Sequence, residues 1–145
     1  MGASELTIDL NALAANWRAL DALSAPGVET AAVVKADGYG LDAGRVAQKL
    51  LATGVSTFFT AVAEEAQIVR KDVGDAPDIF VFSGHMAGDS ERLQSANLIP
   101  LLNAPEQVAR HFSALPGHPV GVQLDSGMNR LGLEPEDWSA LRSEL

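Results

Sequence analysis

The chain has 145 residues, enough for one domain with its own core. Its apolar fraction of 47% and charged fraction of 20% are those of a globular protein, not of a disordered or fibrous one. A net charge of −9 repels phosphate backbones and argues against nucleic acid as a partner, and the lack of cysteine excludes disulfides, thiolate metal sites and cysteine nucleophiles.

Met1 to Thr7 carries neither a basic n-region nor an apolar h-region, so no signal peptide is expected. Leu6-Thr-Ile-Asp-Leu10 reads as a short strand. Asn11 to Leu23 reads as an amphipathic helix turning Leu13, Trp17 and Leu20 inward, and Ser24-Ala-Pro-Gly27 as a turn. Five short apolar runs follow: Ala31-Ala-Val-Val34, Thr57-Phe-Phe-Thr-Ala61, Ile79-Phe-Val-Phe82, Leu98-Ile-Pro-Leu-Leu102 and Val120-Gly-Val-Gln-Leu124. None is long enough to cross a bilayer, so a cytoplasmic protein with no membrane partner is expected. Between the runs lie helical faces: Val46, Leu50 and Leu51; Ala63, Ala66, Ile68 and Val69; Val108, Ala109 and Phe112. Asp42 and Asp89 stand where helices would be N-capped, and Gly54 and Gly74 where they would end. Pro135 to Leu145 closes the chain as a further helical segment.

Strand and helix alternating at a steady interval imply βα units and a parallel α/β sheet. The strands are apolar throughout, as strands covered on both faces are. An open doubly wound sheet and a closed (β/α)₈ barrel share this signal. No Gly-x-Gly-x-x-Gly follows any run, which weakens a dinucleotide-binding fold. A closed barrel takes about 250 residues. If the fold is a TIM-type barrel, the chain holds about its first five βα units, preceded by a short strand and helix.

Lys35 directly follows Val33-Val34, at the C-terminal end of a strand. In a barrel that end is the mouth of the active site. A lone lysine there is most often a surface residue. A partly desolvated one can act as a nucleophile or Schiff-base partner. Asp37-Gly-Tyr-Gly40 is a tight loop able to bring backbone N–H groups and the Tyr39 hydroxyl to an anion. A second segment, Leu124-Asp-Ser-Gly-Met-Asn-Arg-Leu-Gly-Leu133, begins at the end of the fifth strand. Its Arg130 is built for bidentate binding of carboxylate or phosphate. Asp125 either orients that arginine or caps the next turn. His85, His111 and His118 are scattered, and no pair has metal-ligand spacing, so no metal site is expected. Ser83-Gly-His85 ends the third strand and can line the mouth. Glu64-Glu65 reads as a solvated helix face, and Trp17 and Trp138 as packing residues.

Ala32-Val-Val-Lys-Ala-Asp-Gly-Tyr-Gly40, followed by Asp125-Ser-Gly-Met-Asn-Arg-Leu-Gly132, resembles the alanine racemases, barrel-type enzymes that use pyridoxal 5′-phosphate (PLP). Glu5-Leu-Thr-Ile-Asp-Leu10 and Asn16-Trp-Arg18 also resemble that family's N-terminal segment. The resemblance implies that Lys35 carries PLP as a Schiff base and serves as the base on the D-alanine side. It implies that Tyr39 hydrogen-bonds the cofactor phosphate and that Arg130 lies near the substrate carboxylate. Gln123, Asp125 and Met128 would support them. Members commonly have alanine in place of Gly38, histidine in place of Leu41, and in many cases a carbamylated lysine in place of Gln123. The first change should only loosen the loop; the second removes a possible hydrogen bond near the cofactor. Gln123 can still accept from Arg130 through its amide oxygen. The family's second base is a tyrosine from the C-terminal β domain of a partner subunit. The chain, residues 1–145, therefore reads as the N-terminal portion of the barrel, without its remainder or the β domain. It is expected to be inactive alone and homodimeric at full length. The implied activity interconverts L- and D-alanine for cell-wall peptidoglycan. Two alternatives are a non-catalytic PLP-homeostasis protein on the same barrel, and another lysine Schiff-base barrel such as an aldolase or basic amino-acid decarboxylase. Arg130 speaks against the first and the Tyr39 loop against an aldolase; a decarboxylase would be expected to differ around Lys35.

Overall fold

The computed structural model describes residues 4–144. The leader reading rests partly on residues 1–3 and the last helix on residue 145, which lie outside the described residues. All five apolar runs form strands: β1 (Ala32–Val33), β2 (Thr57–Thr60), β3 (Asp78–Val81), β4 (Ile99–Leu102) and β5 (Gly121–Val122). They pair in parallel in the order β1-β2-β3-β4-β5. That order decides what periodicity left open. A doubly wound sheet reverses its strand order at a switch point. Here each strand is laid beside the one before, and right-handed crossovers then put every connecting helix on one face. This is the winding of a barrel wall.

The helices are α1 (Leu10–Asp21), α2 (Lys35–Gly40), α3 (Ala43–Leu51), α4 (Ala63–Val73), α5 (Ser90–Ser95), α6 (Pro105–Ala114) and α7 (Pro135–Glu144). Their ends follow from side chains. The Asp42 carboxylate accepts from Arg45 N at 3.1 Å and starts α3, and Gly74, at φ 69°, ends α4. Asp89 precedes α5 without a capping hydrogen bond; its carboxylate faces Arg92 instead, at 3.6 Å. Gly54 stands beyond α3, its N–H donating to Leu50 O at 3.1 Å.

The core lies between the sheet and its helices. Phe58, Ile79 and Val81 of the strands meet Ala47, Ala66, Val69 and Leu93 of the helices, all fully buried. Burying each larger side chain contributes about 1.5–3 kcal/mol. The opposite, inner face is only half covered. There Phe59 stacks on Phe80 and Phe82, with centroids 5.1 and 5.2 Å apart.

Several local expectations are corrected. The run from Leu6 to Leu10 forms no strand. Asp9 instead caps α1, accepting from Asn11 N at 2.8 Å and Ala12 N at 3.1 Å, and a strand without a partner would leave its backbone groups unpaired. Leu13 and Trp17 pack on the core, but Leu20 is 62% exposed. Ile68 and Phe112 are also exposed, as is Ala109. On α6 the buried stripe is Val108 with His111, not the apolar set, because His111 joins two other histidines. His85 and His118 pack against it, so residues scattered in sequence form one cluster.

Arg70 secures the end of the sheet where the strands begin. It is 7% exposed, and its guanidinium donates to the carbonyls of Gly74, Pro77, Ala96 and Asn97 at 2.8–3.0 Å.

Candidate active site

The β1 ladder ends where Val34 N donates to Phe59 O at 2.9 Å. Lys35 follows, and the chain winds left-handed: Ala36, Asp37, Gly38 and Tyr39 have φ of 51°, 53°, 62° and 59°. Bonds from Gly38 N to Val34 O and from Leu41 N to Asp37 O, both 3.0 Å, close the turn. The sequence shows a tight glycine loop here, but not its hand. Left-handed backbone costs about 1–2 kcal/mol for each non-glycine residue and persists only where neighbours hold it. Asp37 accepts from Ala43 N at 2.9 Å, anchoring the turn to α3. Gly38 is buried against Ala43, and a Cβ there would lie 3.1 Å from Ala43 Cα. Glycine adopts this φ without strain and lets the turn lie close against Ala43. Leu41 packs on the core. The turn carries Tyr39 back beside Lys35, with Nζ 6.0 Å from the ring centroid.

The other end of the cleft is the segment after β5. A bridge between Leu124 and Leu133 pinches the loop at its base, with Leu133 N donating to Gln123 O at 2.8 Å. Gly132 permits this closure: it has φ 115°, and a Cβ would lie 2.5 Å from Asp125 N. Asp125 caps the turn, accepting from Gly127 N at 2.9 Å and Asn129 N at 3.1 Å. Those bonds, that from Gly127 first, hold its carboxyl below the usual range.

A cleft of about 420 Å³ lies between these segments, a volume within the range of small-molecule sites. Lys35 and Tyr39 line it from behind β1, Ala61 from behind β2, Phe82 and Ser83 from behind β3, and Gln123, Arg130 and Leu131 from behind β5. All sit at the C-terminal ends of their strands, where barrel sites form. The structure therefore brings together Lys35, Tyr39, Gln123 and Arg130. It does not bring in Asp125, whose Oδ1 serves its own turn, or Met128, which is 72% exposed. No hydrogen bond joins Gln123 and Arg130 among the described residues. Ser83, which the sequence places at the mouth, has a buried hydroxyl with no hydrogen-bond partner.

Glu65 was not legible as part of this site. Its Oε1 accepts from Ala36 N and its Oε2 from Ala61 N, both at 3.0 Å. An acidic residue in the first turn of a helix that follows a strand is the only sequence signal, and it is shared with Glu64.

A parallel βα wall with an amine, a phenol and a guanidinium gathered at the C-terminal strand ends defines a barrel-type small-molecule site. Residues 8–145 match the family described as alanine racemase, N-terminal domain, and the chain belongs to that family. It is 59% identical to an alanine racemase of Dinoroseobacter shibae over 97% of this chain and 40% of that protein. It is 57% identical to one from Jannaschia sp. over 100% of this chain and 42% of that protein. The chain thus spans about two fifths of these relatives' length. The crystal structure of alanine racemase from Bartonella henselae with covalently bound pyridoxal phosphate superimposes with a TM-score of 0.86 at 33% identity, covering 94% of this chain and 39% of that one.

Proposed function

We propose that the full-length protein is a PLP-dependent alanine racemase and that Lys35 is the residue joined to the cofactor. The observation that carries this reading is the single cleft in which Lys35, Tyr39 and Arg130 converge from two distant segments. The residues present fit PLP: a primary amine for its aldehyde, donors for its phosphate, and a buried Ser83 hydroxyl still lacking a partner. When bound, PLP supplies an electron sink that acidifies the Cα–H of an attached amino acid.

The chain's own residues then divide the work. The Lys35 amine would hold the cofactor and, as a free base, would take or return a proton on one face of the substrate Cα. The Tyr39 hydroxyl donates to the phosphate. The Arg130 fork pairs with the substrate carboxylate and orients it. Gln123 lies beside Arg130 in the cleft wall, while Asp125 keeps the shape of the Arg130 loop and Met128 borders it. A base for the opposite face comes from the partner subunit of a homodimer. In this reading residues 1–145 form the N-terminal part of a barrel whose other units, with a C-terminal β domain, belong to a protein of the relatives' length. The protein works in the cytoplasm, and its D-alanine is supply for cell-wall peptidoglycan. A PLP-homeostasis role would leave Arg130 without a substrate carboxylate to bind, so racemisation is the better reading.

The test is borohydride reduction of the full-length protein with PLP, followed by peptide mapping, alongside an assay of L-alanine conversion to D-alanine. Label on Lys35 together with racemisation is the expected result. Label on another residue would remove the assignment, and label on Lys35 without racemisation would favour the homeostasis role.

A further inference from the structure

Glu64 and Glu65 open α4 side by side, yet they do different things. Glu64 faces solvent and Arg92, at 3.6 Å. Glu65 commits both carboxylate oxygens to backbone, accepting from Ala36 N and Ala61 N at 3.0 Å each. Ala36 is the residue next to Lys35, and Ala61 follows β2 and lines the cleft. One side chain therefore ties together two neighbouring strands at the level where both leave the sheet.

Neither N–H has a ladder partner there. The last bond between the two strands at this level runs from Val34 N to Phe59 O. Beyond it Ala36 sits at φ 51°, a conformation that an alanine keeps only when its surroundings over-determine it. A carboxylate makes the stronger, charge-assisted kind of hydrogen bond to an amide. Its own position is set by the first turn of α4, where the helix dipole favours an anion.

We infer that Glu65 is a positioning residue for Lys35: by holding the Ala36 and Ala61 amides it fixes the peptide from which the lysine side chain enters the cleft. It is not among the residues lining the cleft and acts through the Ala36 and Ala61 amides. The inference rests on the reading of Lys35 as the cofactor lysine. Asp37, bonded to Ala43 N, anchors the same turn from its other side.

The test compares Glu65→Gln, which keeps the size but offers one acceptor oxygen, with Glu65→Ala, which offers none. In full-length protein stripped of PLP, amide hydrogen exchange at Ala36 and Ala61 should quicken by about tenfold or more in Glu65→Ala. When PLP is then added, covalent attachment at Lys35, followed by visible absorbance and borohydride trapping, should slow by about tenfold because the amine is misplaced. Glu65→Gln should fall between wild type and Glu65→Ala in both readouts. In alanine kinetics kcat should fall more than KM rises. An attachment rate at Lys35 unchanged in both variants overturns the inference, as does unchanged exchange at both amides. Trapping on Lys49 or Lys71 in the wild type instead overturns the reading of Lys35, an outcome the exchange measurement does not share. Should Glu65→Ala not fold, Glu65→Gln carries the same comparison.

Discussion

His85 and His111 meet through their Nδ1 atoms at 3.2 Å, with both side chains fully buried. One chain of donors satisfies the pair when both rings are neutral. Ser90 Oγ donates to His85 Nε2 at 2.9 Å, His85 Nδ1–H donates to His111 Nδ1, and His111 Nε2–H reaches His118 O at 3.3 Å. These tautomers are assigned from the network. Burial holds both imidazoles below their ordinary value of 6.5, and at His85 the charges of His111, Arg110 and His118 add to it.

The sign of the pH dependence follows. The unfolded chain takes up protons on these histidines at higher pH than the folded one, so stability is complete above about 6.5 and is lost as pH falls from there toward the lowered values. Melting temperature should therefore drop as pH falls from 7 to 5.5. Asp89, whose carboxyl burial raises, acts in the opposite sense at lower pH. His111→Leu should flatten the dependence while costing about 1–3 kcal/mol at pH 8, because His85 loses its acceptor. Thermal melts across pH read both effects.

Arg70→Met should cost at least about 3 kcal/mol, since it orphans four carbonyls that a charged donor now satisfies. Arg70→Lys should recover little, because an ammonium cannot reproduce the planar fork. Denaturant titration gives the loss. Borohydride trapping on the remaining folded protein should still find Lys35, since Arg70 lies at the opposite end of the strands from the cleft.

Gly132→Ala should displace the Arg130 loop, because its Cβ would fall 2.5 Å from Asp125 N at a φ of 115°. About a tenfold or larger loss in kcat/KM for alanine is expected from misplacement of this kind. Steady-state kinetics with a parallel melt separates it from simple unfolding.

Arg130→Lys should raise KM for alanine by about tenfold, with a smaller effect on kcat, if the fork binds the carboxylate equally in ground and transition states. A fall in kcat as large as the rise in KM would show that the Arg130 contact strengthens in the transition state instead.

The helical periodicities were less reliable than the strand runs. At Ile68 and Phe112 an apolar residue of the right spacing faces water, because a helix on the outside of a barrel wall needs only a narrow stripe inward. His111 took the core position on α6 because the ring of His85, distant in sequence, and the carbonyl of His118 satisfy its two nitrogens, which no local pattern reveals.

Lys35 and Tyr39 could be read directly, since both belong to one nine-residue motif whose strand and turn are local. Arg130 was legible as a candidate by its chemistry and its place after a strand. Composition, strand spacing and those motifs by themselves determined the α/β class and the family resemblance, and marked five residues that line the cleft: Lys35, Tyr39, Ser83, Gln123 and Arg130. The hand of the turn at Ala36, the consecutive strand order, the meeting of the histidines and the role of Glu65 were decided only by tertiary structure. Each depends on which backbone N–H or side chain lies within hydrogen-bond reach across strands far apart in sequence, and spacing along a single chain does not encode that distance.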